Sequence, residues 1–426
     1  MKFTKLSMAA LAVVGFSSSV MAMDLSSVTV KPYAQAKLYY EATDFNGNDM
    51  FDKKSASGQA MVTAGVTGKL DSCWGYGFEY NVADTLGLEN NLVSNTRMGA
   101  GIGRGILDTQ SWASQAYVTY SPCNTILSNT TFKIGRQFLD TPLAFTEKWN
   151  LTRNSFDAIV ALNQDIKNVT LVGAYVGRGN GTKITVTNGD KFASYGANAG
   201  KAKGAYAVGA LTKFIDGLPI NLWYYNVVET ADALWADADY TYKMADDMAF
   251  DLGAQYGQIM PKGSLDGVDD TSGFGVKIGT KIGMFNVMAA YTSMDKDGVV
   301  ALANTATMNL SNGTGTTGGK KTKLYTANIY TDGTAVAVPG SDAWKVKASA
   351  KVAGIGKFIA QYNSCTNDNN NPMQNVDELD LIYATKIAGI NAKAIYMNRS
   401  VSEGKVANAK LKDDTNHFRV ILAKNF

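Results

Sequence analysis

Between positions 28 and 40 the even places read Val28, Val30, Pro32, Ala34, Ala36, Leu38, Tyr40, and the odd places read Thr29, Lys31, Tyr33, Gln35, Lys37, Tyr39. A period of two describes a strand with one apolar and one polar face. The pattern returns over 60–70, 74–82 and 248–256. Over 274–282, Phe274, Val276, Ile278 and Ile282 oppose Lys277 and Lys281. Over 344–352, Trp344, Val346, Ala348, Ala350 and Val352 oppose Lys345, Lys347, Ser349 and Lys351. A soluble β-sandwich also alternates, but two features favour a membrane barrel. The segments have the roughly 9 to 11 residues that a membrane-crossing strand needs, against about 5 to 6 in an average soluble strand. Their apolar faces begin or end in aromatics (Tyr40, Trp74, Tyr80, Tyr120, Tyr256, Tyr291, Trp344, Tyr362, Tyr383), as two interfacial girdles require.

The connections carry a third signal. Those at 70–73, 215–219, 244–247, 282–284, 353–356 and 388–389 are short, whereas those at 44–58, 85–109, 179–204, 295–342, 365–375 and 402–415 are long, polar and rich in Gly or Asn. Short turns on one side and long loops on the other are the plan of an outer-membrane barrel, with the short side periplasmic. The fold class read from this is all-β, a transmembrane antiparallel up-and-down β-barrel of about eighteen strands, with about sixteen also admissible. Lipid requires closure, because an open edge would leave backbone groups unpaired in hydrocarbon. Two assigned strands, near 154–162 and 391–399, mix their faces. The strand-like stretch 324–330 is assigned to a hairpin inside the longest loop, since counting it as spanning would break the alternation of turn sides.

Lys2 and Lys5 precede an apolar run over 6–16 and small residues ending in Val20-Met21-Ala22. This reads as a secretory leader over 1–22, too short to span a bilayer, followed by a single barrel domain over 23–426. The formal charge of +3 drops by two with the leader lysines, so neither nucleic acid nor an acidic polymer is implied as a partner. Phe418, Val420, Leu422 and the final Phe426 share one face of a last strand, which Lys424 interrupts. A terminal aromatic there resembles the signal read by the barrel assembly machinery. Cys73 and Cys123 both fall at expected periplasmic turns, in an oxidising compartment, and could pair; three unpaired thiols are the alternative, with Cys365 in an external loop.

Ile134-Gly135-Arg136-Gln137, then Thr141-Pro142-Leu143, then Arg153 and Phe156, resemble the OprD-type outer-membrane porin family, close to the major outer-membrane porins of the campylobacteria. The recognisable motif covers about 132–156. The acidic residue and the proline that flank the family's arginine are replaced by Thr152 and Asn154. The resemblance implies an eighteen-stranded barrel, a homotrimer, passage of small hydrophilic solutes, and a loop over about 138–154 folded into the pore.

Selection by such a channel rests on bore and field. The candidates for the charged constriction are Lys133, Arg136, Glu147, Lys148 and Arg153, with Arg178, Lys345, Lys347, Lys351, Arg399 and Arg419 on the wall. Asp237, Asp239, Asp251 and Asp380 also qualify as lumen residues, which leaves the sign of selectivity open. The functional reading is an outer-membrane porin for passive diffusion of ions and small hydrophilic solutes. The alternatives are a substrate-specific channel for small charged nutrients and a structural or adhesive barrel. An enzyme is not expected: the one histidine, His417, reads as a rim residue with no Ser or Cys motif near it. No cofactor is implied. Gly99 to Gly105 is Gly-rich but opens no helix, and Asp266, Asp269 and Asp270 lack the distal Glu of an EF-hand, so no metal site is assigned.

Overall fold

A computed structural model of the chain describes residues 28–44, 47–96, 103–104, 109–123, 127, 129–181, 189–195, 204–307, 321–369, 375–401 and 414–426. The expected leader over 1–22, and most of the Gly-rich run at 99–105, lie outside the described residues.

Eighteen long antiparallel strands form the wall. They are β1 (Thr29–Thr43), β2 (Ser57–Lys69), β3 (Trp74–Asp84), β4 (Gln110–Tyr120), β5 (Thr130–Gln137), β6 (Phe156–Asn163), β7 (Val169–Gly179), β8 (Ala205–Ile215) and β9 (Leu218–Val227). The second half comprises β10 (Ala231–Ala245), β11 (Met248–Pro261), β12 (Thr271–Ile282), β13 (Phe285–Met294), β14 (Ser341–Val352), β15 (Gly356–Asn367), β16 (Val376–Ile387), β17 (Ile390–Val401) and β18 (Thr415–Asn425). Three further strands of two residues each, Asn95–Thr96, Gly103–Arg104 and Ala193–Ser194, belong to the long connections. Each long strand pairs with its sequence neighbours, and β18 returns to β1 with Leu422 opposite Leu38 and Arg419 opposite Glu41. Closure leaves no sheet edge to lipid. Both face-mixing segments are spanning strands, as β6 and β17.

Burial is inverted relative to a soluble protein. Phe78, Ile134, Leu222, Val276, Trp344 and Leu381 are exposed on the outer face, while Gln59, Thr63, Glu79, Asn81, Ser114, Asn363, Glu378 and Asp380 are buried inside. Outward rings pair across strands near both ends of the wall: Trp74 with Tyr120 at 4.6 Å, Trp344 with Tyr362 at 5.3 Å and Phe358 with Tyr383 at 4.8 Å. These are the interfacial girdles. Inside, the Tyr33 and Tyr117 rings lie over Gly65 and Gly77, their register partners. A Cβ at either glycine would stand 2.2 or 2.3 Å from a ring carbon, so only Gly admits the rings there.

On the short-turn side, Cys73 and Cys123 form a disulfide with Cα atoms 5.6 Å apart, joining the β2–β3 and β4–β5 turns, and Cys365 is free and buried. On the other side the connections are long, with one exception: β9 and β10 are joined by residues 228–230 alone.

Candidate functional site: a pore narrowed by two loops

The inner face of β8–β11 is apolar. Ala207, Trp223, Tyr225, Ala233, Trp235 and Ile259 point inward and are buried. In a water-filled bore such a surface calls for cover, and two inward-folded connections supply it.

The first is the β5–β6 connection, residues 138–155. It leaves the wall at Gln137, whose Nε2 donates to the Ala158 carbonyl at 3.0 Å, and places Leu139, Leu143, Phe145 and Leu151 in buried positions. At one end Arg153 donates to both Glu79 oxygens, at 2.8 and 3.0 Å, and stacks on Phe138 at 4.2 Å. Glu79 on β3 also accepts from Ser114 Oγ at 2.6 Å and Tyr33 Oη at 2.9 Å. At the other end the Leu143 N–H faces Tyr225 Oη on β9 at 3.4 Å. The loop thus bridges two walls, and Arg153 holds it down.

The second is the β13–β14 connection, described over 295–307 and 321–340. Asn304 clasps the first loop: its Oδ1 accepts the Phe145 N–H at 3.0 Å, and its Nδ2 donates to the Phe145 carbonyl at 3.0 Å and to Glu147 Oε1 at 3.1 Å. Thr305 donates to the Leu143 carbonyl through its N–H at 2.8 Å and its hydroxyl at 2.6 Å. Val300, Leu302, Leu324 and the run from Ala335 to Val338 bury themselves against Trp223, Trp235 and Ile259. The expected hairpin at 324–330 does not form. Its backbone groups bond the wall instead: the Tyr330 N–H to Glu378 at 2.9 Å, the Ile329 N–H to Asp380 at 3.4 Å, the Thr326 carbonyl to Asn363 at 3.0 Å and the Ala327 carbonyl to Lys345. Tyr330 Oη bonds Glu41 and accepts from Arg419 at 3.0 Å, while Arg419 donates to Glu41 at 2.6 Å. His417 closes this group, its ring 4.6 Å from that of Tyr330 and its Nδ1 3.5 Å from Glu41, so it is no rim residue. Asp332 pairs with Lys321 in the same loop. Burial pushes the Asp332 carboxyl up to about 7; Lys321 opposes the shift, and Glu147 and Glu378 add to it.

With both loops packed toward β7–β11, the open space lies against β1 and β14–β18. A cavity of about 1020 Å³ is bounded by Lys37, Lys345, Lys347, Lys393 and Arg419 of the wall and by Lys148, Lys321 and Lys323 of the loops. Asp140 and Asp332 are the acidic residues among the described ones that border it. Lys323 and Lys148 share Asp140, at 2.5 and 3.8 Å. Lys37 donates to the Asn150 carbonyl. Lys347 and Lys393 make no ion pair among the described residues. Eight cations against two carboxylates make the lining basic.

Of the charged residues expected at the pore, Lys148, Lys345, Lys347 and Arg419 border this cavity. Glu147 belongs to the infolded loop but is sealed between the two loops, so it presents no charge to the lumen. Arg153 tethers. Lys133 lies over the Tyr117 ring at 3.8 Å, away from the cavity. Lys351 is exposed near the short-turn end of β14, and Arg399 stands opposite Glu378 near the far end of β17. Asp380 accepts from Gln361 at 2.6 Å, Asp239 pairs with Lys277 at 2.6 Å, Asp237 accepts from the Trp235 indole at 2.7 Å and Asp251 from Thr241 at 2.6 Å.

Arg136 and Arg178 are not in the lumen. Both pair with Asp157 on the outer face, because Arg136 lies two residues from the exposed Ile134 and Asp157 two residues from the exposed Ile159. Sequence reasoning missed Lys37, Lys321, Lys323 and Lys393. Parity with Leu38 would have turned Lys37 inward, whereas nothing local marks Lys321 and Lys323 as pore residues. Among the described residues no group of three or more His, Cys, Asp or Glu is placed to hold a metal.

The fold is similar to that of several solved bacterial proteins. OccAB1 of Acinetobacter baumannii superposes with a TM-score of 0.69 at 14% identity, over 93% of this chain and 96% of that one. OpdK of Pseudomonas aeruginosa, solved with vanillate, gives 0.69 at 12% identity over 93% and 98%. OprD of the same organism gives 0.66 at 14% over 93% and 95%. No curated protein sequence matches the chain. The family model described as outer membrane porin, OprD family, matches residues 34–426. This chain therefore belongs to the OprD family of outer-membrane porins.

Proposed function

We propose that this porin, a diffusion channel of the Gram-negative outer membrane, favours small hydrophilic anions over cations of the same size. The observation that carries the reading is the lining of the cavity, where eight Lys or Arg side chains meet two Asp. Fixed charges of one sign around a narrow water column raise the local concentration of the opposite ion. The contributions are unequal. Arg419 is offset by Glu41, Lys321 by Asp332, and Lys323 with Lys148 by Asp140. Lys345 is buried against the Ala327 carbonyl with Asp380 and Glu378 near it, so Lys37, Lys347 and Lys393 supply most of the field.

The chain works as a homotrimer in this reading, after a leader over 1–22 is removed, and the exposed Phe426 serves the barrel assembly machinery as its recognition signal. The test is single-channel recording of the detergent-purified protein in a planar bilayer, with the reversal potential read in a KCl gradient of about tenfold, where a selective pore departs from zero. Stepwise conductance with a reversal potential toward that of chloride supports the proposal. A potential toward that of potassium overturns it.

A further inference from the structure

Among the described residues, the outer face of the barrel carries a cluster of two arginines around one carboxylate that neither the lumen nor the lipid tails account for. Arg136 on β5 donates through Nε to Asp157 Oδ1 at 2.9 Å, and Arg178 on β7 donates to Asp157 Oδ2 at 2.7 Å. The Phe192 ring covers the Arg136 guanidinium at 3.6 Å. The register turns this group outward. Ile134 pairs with Ile159 and Arg136 with Asp157, and both isoleucines are exposed, at 42% and 47%. On β7 the ladder skips Gly177, since Asp157 faces Arg178 while Ala158 faces Val176; this bulge turns Arg178 to the side of Asp157.

The height of the cluster is also set by its neighbours. Tyr175 and Tyr206 form an outward ring pair at 5.1 Å, the girdle on this part of the wall. Because the ladder skips Gly177, Arg178 lies two ladder positions beyond Tyr175 toward the long-loop side, about 7 Å along a strand and so above the girdle, at headgroup rather than hydrocarbon depth. β5 and β6, eight residues each, are the shortest spanning strands, so the wall is low here, and Arg136 and Asp157 each stand one residue from its upper end. Two guanidiniums against one carboxylate leave one positive charge. The Arg178 side chain is 56% exposed and spends a single nitrogen on Asp157, so its other N–H groups are left accessible. Asp157 holds both guanidiniums in place, and a guanidinium fork suits a phosphate.

We propose that Arg136 and Arg178 form a docking site for the phosphate of a phosphorylated glycolipid in the outer leaflet. The probes are bisphosphorylated lipid A, the same lipid without phosphate, and inorganic phosphate, each added to the purified full-length barrel and read by native mass spectrometry. Wild type is expected to retain bisphosphorylated lipid A, with retention falling at least about tenfold in Arg178→Gln and further in the Arg136→Gln/Arg178→Gln variant, as loss of charge-assisted bonds implies. Lipid without phosphate should bind no better to wild type than to the double variant. Heat-modifiable electrophoretic mobility verifies that each variant is a closed barrel, and Arg178→Gln, which touches no buried packing, serves if the double variant fails this check. Equal retention by wild type and Arg178→Gln overturns the proposal. Full displacement by inorganic phosphate overturns it in favour of a free-anion site, and a changed oligomeric mass with unchanged lipid retention overturns it in favour of a subunit contact.

Discussion

Reversing the charge of Lys347 and Lys393 tests the field of the lumen most directly. Both border the cavity, one from β14 and one from β17, and neither holds a loop or neutralises a buried carboxylate. Substitution therefore alters the field and leaves the constriction in place. An ion passing about 8 Å from an ammonium group in water feels about 0.5 kcal/mol, which a Debye length of about 10 Å at 0.1 M salt reduces to about 0.2 kcal/mol. A Lys→Glu reversal moves two charges. It disfavours the anion by about 0.5 kcal/mol and favours the cation by as much, roughly fivefold in permeability ratio. Lys347→Glu with Lys393→Glu should lower the chloride-to-potassium ratio about twentyfold, and the paired Lys→Gln variant should lower it about fivefold. At 1 M salt the Debye length is about 3 Å and the double reversal should change the ratio by less than about twofold. The assay is the reversal potential of single channels, with the unitary current as evidence of an unaltered bore. A ratio within about twofold of wild type at 0.1 M would refute the assignment, and a change that persists undiminished at 1 M would mean that shape, not field, had been altered.

Four further outcomes follow from the loop attachments and the periplasmic turns. Tyr330→Phe removes the hydroxyl that joins the second loop to Glu41 and Arg419, so single-channel traces should show added sub-conductance steps while the Arg419–Glu41 pair persists. Arg153→Gln frees the first loop from Glu79 and should raise the unitary conductance; an unchanged value would show that the apolar packing of Leu143 and Phe145 suffices to hold it. Asp332 has a carboxyl raised from its ordinary 3.8 to about 7, so the folded state retains a proton that the unfolded chain gives up. Its contribution to stability is thus full below about pH 4 and declines as pH rises toward 7. Asp332→Asn should flatten that part of the pH dependence of the thermal midpoint. Cys73→Ser opens a link between residues 50 apart, worth about 4 kcal/mol in a chain-entropy estimate, and should lower the thermal midpoint with little effect on reversal potential.

What could be read from the sequence follows from which forces act locally. A barrel wall separates lipid from water within one residue's thickness, so every strand writes that boundary as alternation, and its even-odd pattern survives wherever the lumen is wet. It blurs where the lumen is dry. On β9, Leu222 and Tyr224 face lipid while Trp223 and Tyr225 face the two loops, and a strand apolar on both faces was itself the available sign that a loop must cover it. The attachments of those loops are less legible, because residues such as Asn304 and Tyr330 find partners more than a hundred residues away, on a second loop or on a strand that only closure brings near. Arg136 and Arg178 show two different failures. Parity with Ile134 places Arg136 outside, against the constriction role that the family motif around it suggests. For Arg178 parity itself misleads, because the bulge at Gly177 inserts one residue and a one-residue slip exchanges the faces of a strand. The same slip that removed a charge from the pore delivered it to the membrane surface, beside a second arginine that shares its carboxylate. A pattern with period two thus locates the bilayer well, while single insertions decide which charges meet solute and which meet lipid.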